Sequence, residues 1–93
     1  MSTFGEFREK YLEWVAKTFP SESVKDQARH LVKEANELLE SLEAEEVADC
    51  FMLLLCIANR LDLNVVTEAE KKFAIIQDRE WVRGADGIME HKR

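Results

Sequence analysis

Apolar positions recur along this chain with a helical period. Phe7, Tyr11, Trp14 and Val15 share one face, and Thr3 with Glu6 has the spacing of a capping box, which predicts a first helix over about 3–18. Pro20, Ser21 and Ser23 interrupt it. Ser23 and Asp26 form the next cap signal, after which Val24, Ala28, Leu31, Ala35, Leu38 and Leu42 recur at alternating intervals of four and three, an a/d seam of nearly three heptads. A third helix, over about 43–61, starts acidic, as the helix dipole favours, and turns apolar on every face between Cys50 and Ala58. It is expected to be the central, most buried helix. Asp62 to Asn64 forms a connection. Thr67 with Glu70 repeats the capping box and predicts a fourth helix through Ala69, Phe73, Ile76 and Trp81, ended at Gly84. The stretch 84–87 reads as a turn and 88–93 as a tail, docked or mobile.

The expectation is one all-α domain over residues 1–93, a four-helix bundle. A chain of 93 residues buries only about 60–65% of its unfolded surface, too little for three short helices to cover one that is hydrophobic all round. Oligomerisation is therefore expected to complete the bundle, as a homodimer or homotetramer. The seam on helix two and the belt on helix three are the surfaces to share.

Composition removes several alternatives. The longest apolar run, 50–58, is far below the roughly 18–20 residues that span a bilayer, so no membrane segment is expected. The start, MSTFGEFREK, lacks a basic segment followed by an apolar core, and a cytoplasmic location is the expectation. Cys50 and Cys56, about 120° apart on a helix and about 9 Å apart along it, read as free thiols rather than a disulfide.

Charge adds a sharper feature. Of 19 acidic residues, seven (Glu34, Glu37, Glu40, Glu43, Glu45, Glu46 and Asp49) fall in sixteen positions without a Lys or Arg, leaving 12 acids against 13 bases elsewhere. The net charge of −6 thus sits in one stretch, which argues against a reader of duplex nucleic acid. It suits a cation site, or a solvated acidic helix.

Helical geometry divides these acids. Glu34 and Glu37 are about 60° apart around helix two and about 4.5 Å apart along it, beside the apolar seam. Glu46 and Asp49 repeat that spacing on helix three, where Asp49 stands at the entrance to the apolar belt. A carboxylate there is costly unless compensated. Two antiparallel helices, each giving such a pair, can surround one or two divalent cations, and all-oxygen ligation suits Mg²⁺ or Mn²⁺. Glu40, Glu43 and Glu45 remain surface charge. On the fourth helix Lys72 and Arg79, seven apart and on one face, are spaced as a clamp for a polyphosphate, or as surface cations balancing Glu70, Asp78 and Glu80. No Ser or Cys nucleophile pairs with a His, which fits metal-assisted hydrolysis. Trp14, Phe7 and Trp81 are expected in the core, with base stacking the rival role.

The segments HLVKEANELLE (30–40), EEVADCFMLLLCIANR (45–60) and KKFAIIQDREWVRGADGIMEHKR (71–93) together resemble a small MazG-like member of the all-α nucleoside triphosphate pyrophosphohydrolase superfamily. The dATP/dGTP pyrophosphohydrolase-like subgroup is the nearest resemblance, and it covers roughly 24–93. It implies a MazG-like bundle that oligomerises and hydrolyses a (deoxy)nucleoside triphosphate to the monophosphate and pyrophosphate with Mg²⁺ or Mn²⁺, in nucleotide-pool housekeeping. Carried over by position, Glu34, Glu37, Glu46 and Asp49 are the metal ligands, Glu37 or Glu46 also orients the attacking water, and Lys72 and Arg79 hold phosphates. His30 is a further substrate contact. One departure stands out: Ile76-Gln77 occupies the place where members commonly carry Asn followed by Lys. That motivates a rival reading, a catalytically weakened module of the same fold that binds nucleotide or a protein; a purely structural helical assembly is the third.

Overall fold

The computed structural model describes residues 1–92 and contains four helices: α1 (Phe4–Thr18), α2 (Val24–Ser41), α3 (Ala44–Arg60) and α4 (Val65–Gln77). The first two start where their capping signals lie. The Glu6 N–H donates to Thr3 Oγ1 at 3.1 Å, and the Asp26 N–H to Ser23 Oγ at 3.0 Å. The fourth cap lies elsewhere than expected: Asn64, not Thr67, precedes α4, and its Oδ1 accepts from the Thr67 N–H at 3.1 Å. Asn satisfies an orphan amide as Thr does, so the true start is three residues earlier.

Only Leu42 and Glu43 separate α2 from α3, and the two pack as an antiparallel hairpin along their length. Leu42 ends α2 in the left-handed region, with φ 56°, and is 76% exposed. It is therefore a helix cap and not the last member of the seam. α1 lies across α3, while α4 leaves α3 at 101° and packs closely on neither α1 nor α2.

The helical forecast fails after Gln77. Residues Trp81–Arg83 (β1) and Met89–His91 (β2) pair antiparallel, Trp81 opposite His91 and Arg83 opposite Met89. The forecast turn closes them: the Gly84 N–H donates to Ile88 O at 2.7 Å, and Gly87 takes φ 87°, open to glycine without strain. The tail through Lys92 is thus docked, its N–H donating to Glu80 O at 2.6 Å; Arg93 lies outside the described residues.

Leu55, Cys56 and Ala58, all on α3, are the buried apolar residues, which makes α3 the central helix as its composition requires. Around them the protomer is poorly covered. Its radius of gyration is 15.7 Å, against about 12 Å for a compact chain of this length. Its accessible surface is 7572 Å², against about 5500 Å² for a compact monomer of this mass. Phe51, Leu54 and Phe73 are among the large apolar side chains left exposed, as are Phe7, Trp14 and Trp81, which are not core residues.

Candidate functional site

The α2/α3 hairpin sets its acids opposite one another. With a two-residue link, residues near the C-terminal end of α2 face those near the N-terminal end of α3. One carboxylate oxygen each of Glu34, Glu46 and Asp49 lies within 4.8 Å of the others. Glu34 Oε2 and Glu46 Oε2 are buried without a hydrogen-bond partner. Glu37 is exposed at the rim, near enough for its charge to act on both Glu34 and Glu46.

The electrostatics record this crowding. Glu34 is held above the usual carboxylate range, first by the Glu37 carboxyl, which favours a shared proton, then by burial; its bond to His30 works the other way. Glu46 is raised by burial first, then by the charges of Glu37, Asp49 and Glu34. The Cys50 thiol beside them is also raised, by burial and then by the same acids, which suppresses its thiolate. Cys50 and Cys56 are both free. Hard oxygen donors converging with unpaired buried oxygens and mutual repulsion are what a divalent cation compensates, so the residues present fit such an ion.

A cavity of about 240 Å³ opens from the cluster at Glu34 and Asp49 and runs under α1. Trp14, Val15 and Phe19 form one wall, Met52 and Leu53 another. Tyr11 and Trp14 are stacked with centroids 6.4 Å apart, and the Tyr11 hydroxyl lies 3.2 Å from Cys56 Sγ. Burial, followed by that bond to Cys56, pushes the Tyr11 phenol well above its ordinary value, so it stays protonated. His30 lines the same cavity and contacts Glu34, its Nε2 3.1 Å from Oε1.

Lys72 and Arg79 stand apart. α4 ends at Gln77, so Arg79 lies beyond the helix, its N–H donating to Ile76 O at 3.3 Å, and the two-turn helical clamp does not form. Neither residue lines the cavity. Ile76 is half-buried, and its carbonyl oxygen accepts from Trp81 Nε1 at 3.0 Å. Tyr11, expected from the sequence only as part of an apolar helix face, and Gln27, which no sequence expectation names, both lie on the cavity wall. Gln27 carried a signal in the sequence: it is a polar residue three past Val24 and four before Leu31, on the buried side of α2.

The sequence profile of the dATP/dGTP pyrophosphohydrolases matches residues 7–92. The chain belongs to the dATP/dGTP pyrophosphohydrolase family. Among its relatives, a dATP/dGTP diphosphohydrolase of Salmonella phage PMBT28 is 33% identical over 91 residues, which are 96% of this chain and 31% of that protein. This chain therefore spans about a third of that relative's length. A dATP/dGTP diphosphohydrolase of Cyanophage S-2L is 30% identical over 93 residues, 97% of this chain and 89% of the relative. The fold of this pyrophosphohydrolase family member matches the Cyanophage S-2L MazG-like pyrophosphohydrolase, solved with dGDP and three catalytic Mn²⁺ ions per active site. The TM-score is 0.85 at 29% identity, with both chains covered in full.

Proposed function

We propose that this protein hydrolyses dATP, dGTP or both to the monophosphate and pyrophosphate, with Mg²⁺ or Mn²⁺ held by Glu34, Glu46, Asp49 and Glu37. The observation that carries this is the convergence of three carboxylates within 4.8 Å, two of them with unpaired buried oxygens, at the mouth of an aromatic-walled cavity. A divalent cation there offsets the negative charge of the triphosphate and lowers the pKa of water.

The chain's own residues have defined tasks in this reading. Water attacks the α-phosphorus, the bond to the bridging oxygen breaks, and pyrophosphate leaves. Glu37 accepts the proton from that water, because among the four acids it is the exposed one and can pass the proton to solvent; Glu46, opposite it, fixes the water's orientation. Asp49 and Glu34 stay fixed on α3 and α2, so that little rearrangement accompanies charge development.

The phosphate-binding cations come from a second copy. Within one protomer Lys72 and Arg79 are absent from the cavity, while the apolar groove between Phe4, Phe51, Val65 and Phe73 needs covering. The roughly 2000 Å² of surface beyond that of a compact monomer is enough for a stable homodimer or homotetramer. The rival, a weakened binding module, draws on Ile76-Gln77, where the family's polar pair is missing. Nucleotide-pool housekeeping in the cytoplasm is the role that goes with the reaction.

The deciding experiment incubates the protein with each dNTP and NTP plus Mg²⁺ or Mn²⁺ and separates the products. Pyrophosphate and monophosphate from a purine deoxynucleotide are expected. No turnover of any triphosphate together with no calorimetric binding of Mn²⁺ overturns the reaction, and nucleotide binding without turnover selects the rival.

A further inference from the structure

Gln27 is the buried polar side chain among the described residues that the carboxylate chemistry leaves unused. It is 2% exposed, lines the cavity that ends at Glu34 and Asp49, and its Oε1 has no hydrogen-bond partner. Tyr11 and Cys56, polar groups that line the same cavity, are paired with each other. A buried amide oxygen without a partner is disfavoured, and Met or Leu would fill the same space without that defect. Something absent from the free protein is therefore expected to meet the carboxamide.

Position narrows what that is. Gln27 lies seven residues before Glu34 on α2, two turns or about 10 Å along the axis, a distance that a 5′-nucleotide can bridge from phosphate to base. The cavity, about 240 Å³, is below the usual ligand-pocket range of about 300–1000 Å³ and suits a base rather than a whole nucleotide. Its Tyr11 and Trp14 rings offer a stacking wall.

We infer that Gln27 is the specificity-determining residue that reads the 6-position edge of a purine base, with the base in this cavity and its phosphates toward the carboxylates. The inference rests on the nucleotide reading of the site and deepens it. A carboxamide presents one acceptor and one donor side by side, and half a turn about its last torsion exchanges them. In one orientation Oε1 accepts from adenine N6–H while Nε2 donates to N1. In the other Nε2 donates to guanine O6 while Oε1 accepts from N1–H. One buried amide therefore accommodates both 6-amino and 6-oxo purines without a second pocket.

The test is calorimetric titration with dAMP, dGMP, dCMP and dTMP in the presence of Mg²⁺, on the full chain and on Gln27→Met. Wild type is expected to bind dAMP and dGMP at least tenfold more tightly than the pyrimidine monophosphates. Gln27→Met is expected to lose that preference while its Tm holds or rises. A lower Tm with the purine preference intact shows a structural glutamine and overturns the inference. So does wild-type binding that ignores the base, or no binding of either purine. Should the variant fail to fold, 2′-deoxynebularine monophosphate, which has hydrogen at C6, decides the matter on wild type alone: at least tenfold weaker binding than dAMP supports the inference, and equal binding overturns it. Failure of the reaction is separable. Purine preference that depends on Gln27 without triphosphate turnover removes the reaction only, whereas turnover of dATP and dGTP with an unchanged KM in Gln27→Met removes the base reading only.

Discussion

His30 Nε2 stands 3.1 Å from Glu34 Oε1, one turn earlier on the same helix, and leaves Glu34 Oε2 buried and bare. The ring fixes one oxygen of a cluster carboxylate and thereby aims the other. Groups that orient metal ligands in this way are commonly worth about 10–100-fold in metal affinity. His30→Ala is expected to weaken Mn²⁺ binding by about that factor, with partial recovery in His30→Gln. Calorimetry measures it, and unchanged affinity would show that the ring does not position Glu34.

Asp49 stands where α3 enters its buried section, and its carboxylate is within 4.8 Å of two others. Asp49→Asn keeps the shape and removes a negative ligand. Metal-dependent turnover should fall by about 100-fold or more. Circular dichroism and gel filtration should be unchanged, and retained activity would remove Asp49 from the site.

The raised carboxyls make metal-free stability depend on pH in a defined direction. Glu34 and Glu46 bind protons more tightly in the folded chain than in the unfolded one. Their contribution therefore declines as pH rises from the ordinary carboxylate range, about 4.3, through their raised values, and returns on acidification. Mn²⁺ competes with those protons, so the Tm gain it confers is expected to be largest at neutral pH and to shrink through the same window. Thermal melts with chelator and with Mn²⁺ check both slopes.

Cations donated by a second copy permit complementation. Asp49→Asn and a Lys72→Ala, Arg79→Ala double variant should each be inactive alone. Mixed equally as dimers, they should recover about a quarter of wild-type sites, because one site in each mixed dimer has both intact halves. No recovery after verified subunit exchange would place cations and carboxylates in the same chain.

Leu42 holds φ 56° with its side chain exposed, a conformation that costs a residue with a Cβ about 1–2 kcal/mol. Leu42→Gly should stabilise the protomer by about 0.5–1 kcal/mol, after the larger unfolded-state entropy of glycine is subtracted. Urea unfolding measures it. A loss would show that Leu42 is buried against another copy.

Local signals in the sequence determined much of this protein: the caps at Thr3 and Ser23, the seam from Val24, the apolar α3, and the two carboxylate pairs at three-residue spacing. Each depends on neighbours within one or two turns, where helical geometry is rigid enough to read directly. The C-terminal hairpin was not legible because Ala69, Phe73 and Ile76 keep a helical spacing and no Gly or Pro interrupts the chain between Ile76 and Gly84; Trp81 instead pairs across from His91 and donates to Ile76 O. The single helical face expected to carry Lys72 and Arg79 stops short of Arg79 for the same reason. The antiparallel arrangement that brings Glu34 to Glu46 and Asp49 was already legible from their spacing on two adjoining helices, whereas only the tertiary structure laid Tyr11 and Trp14 over the cavity and buried Gln27 Oε1 without a partner. These relationships depend on how α1 and the α2/α3 hairpin cross, and crossing is set by packing between residues far apart in the chain, which a local period does not encode.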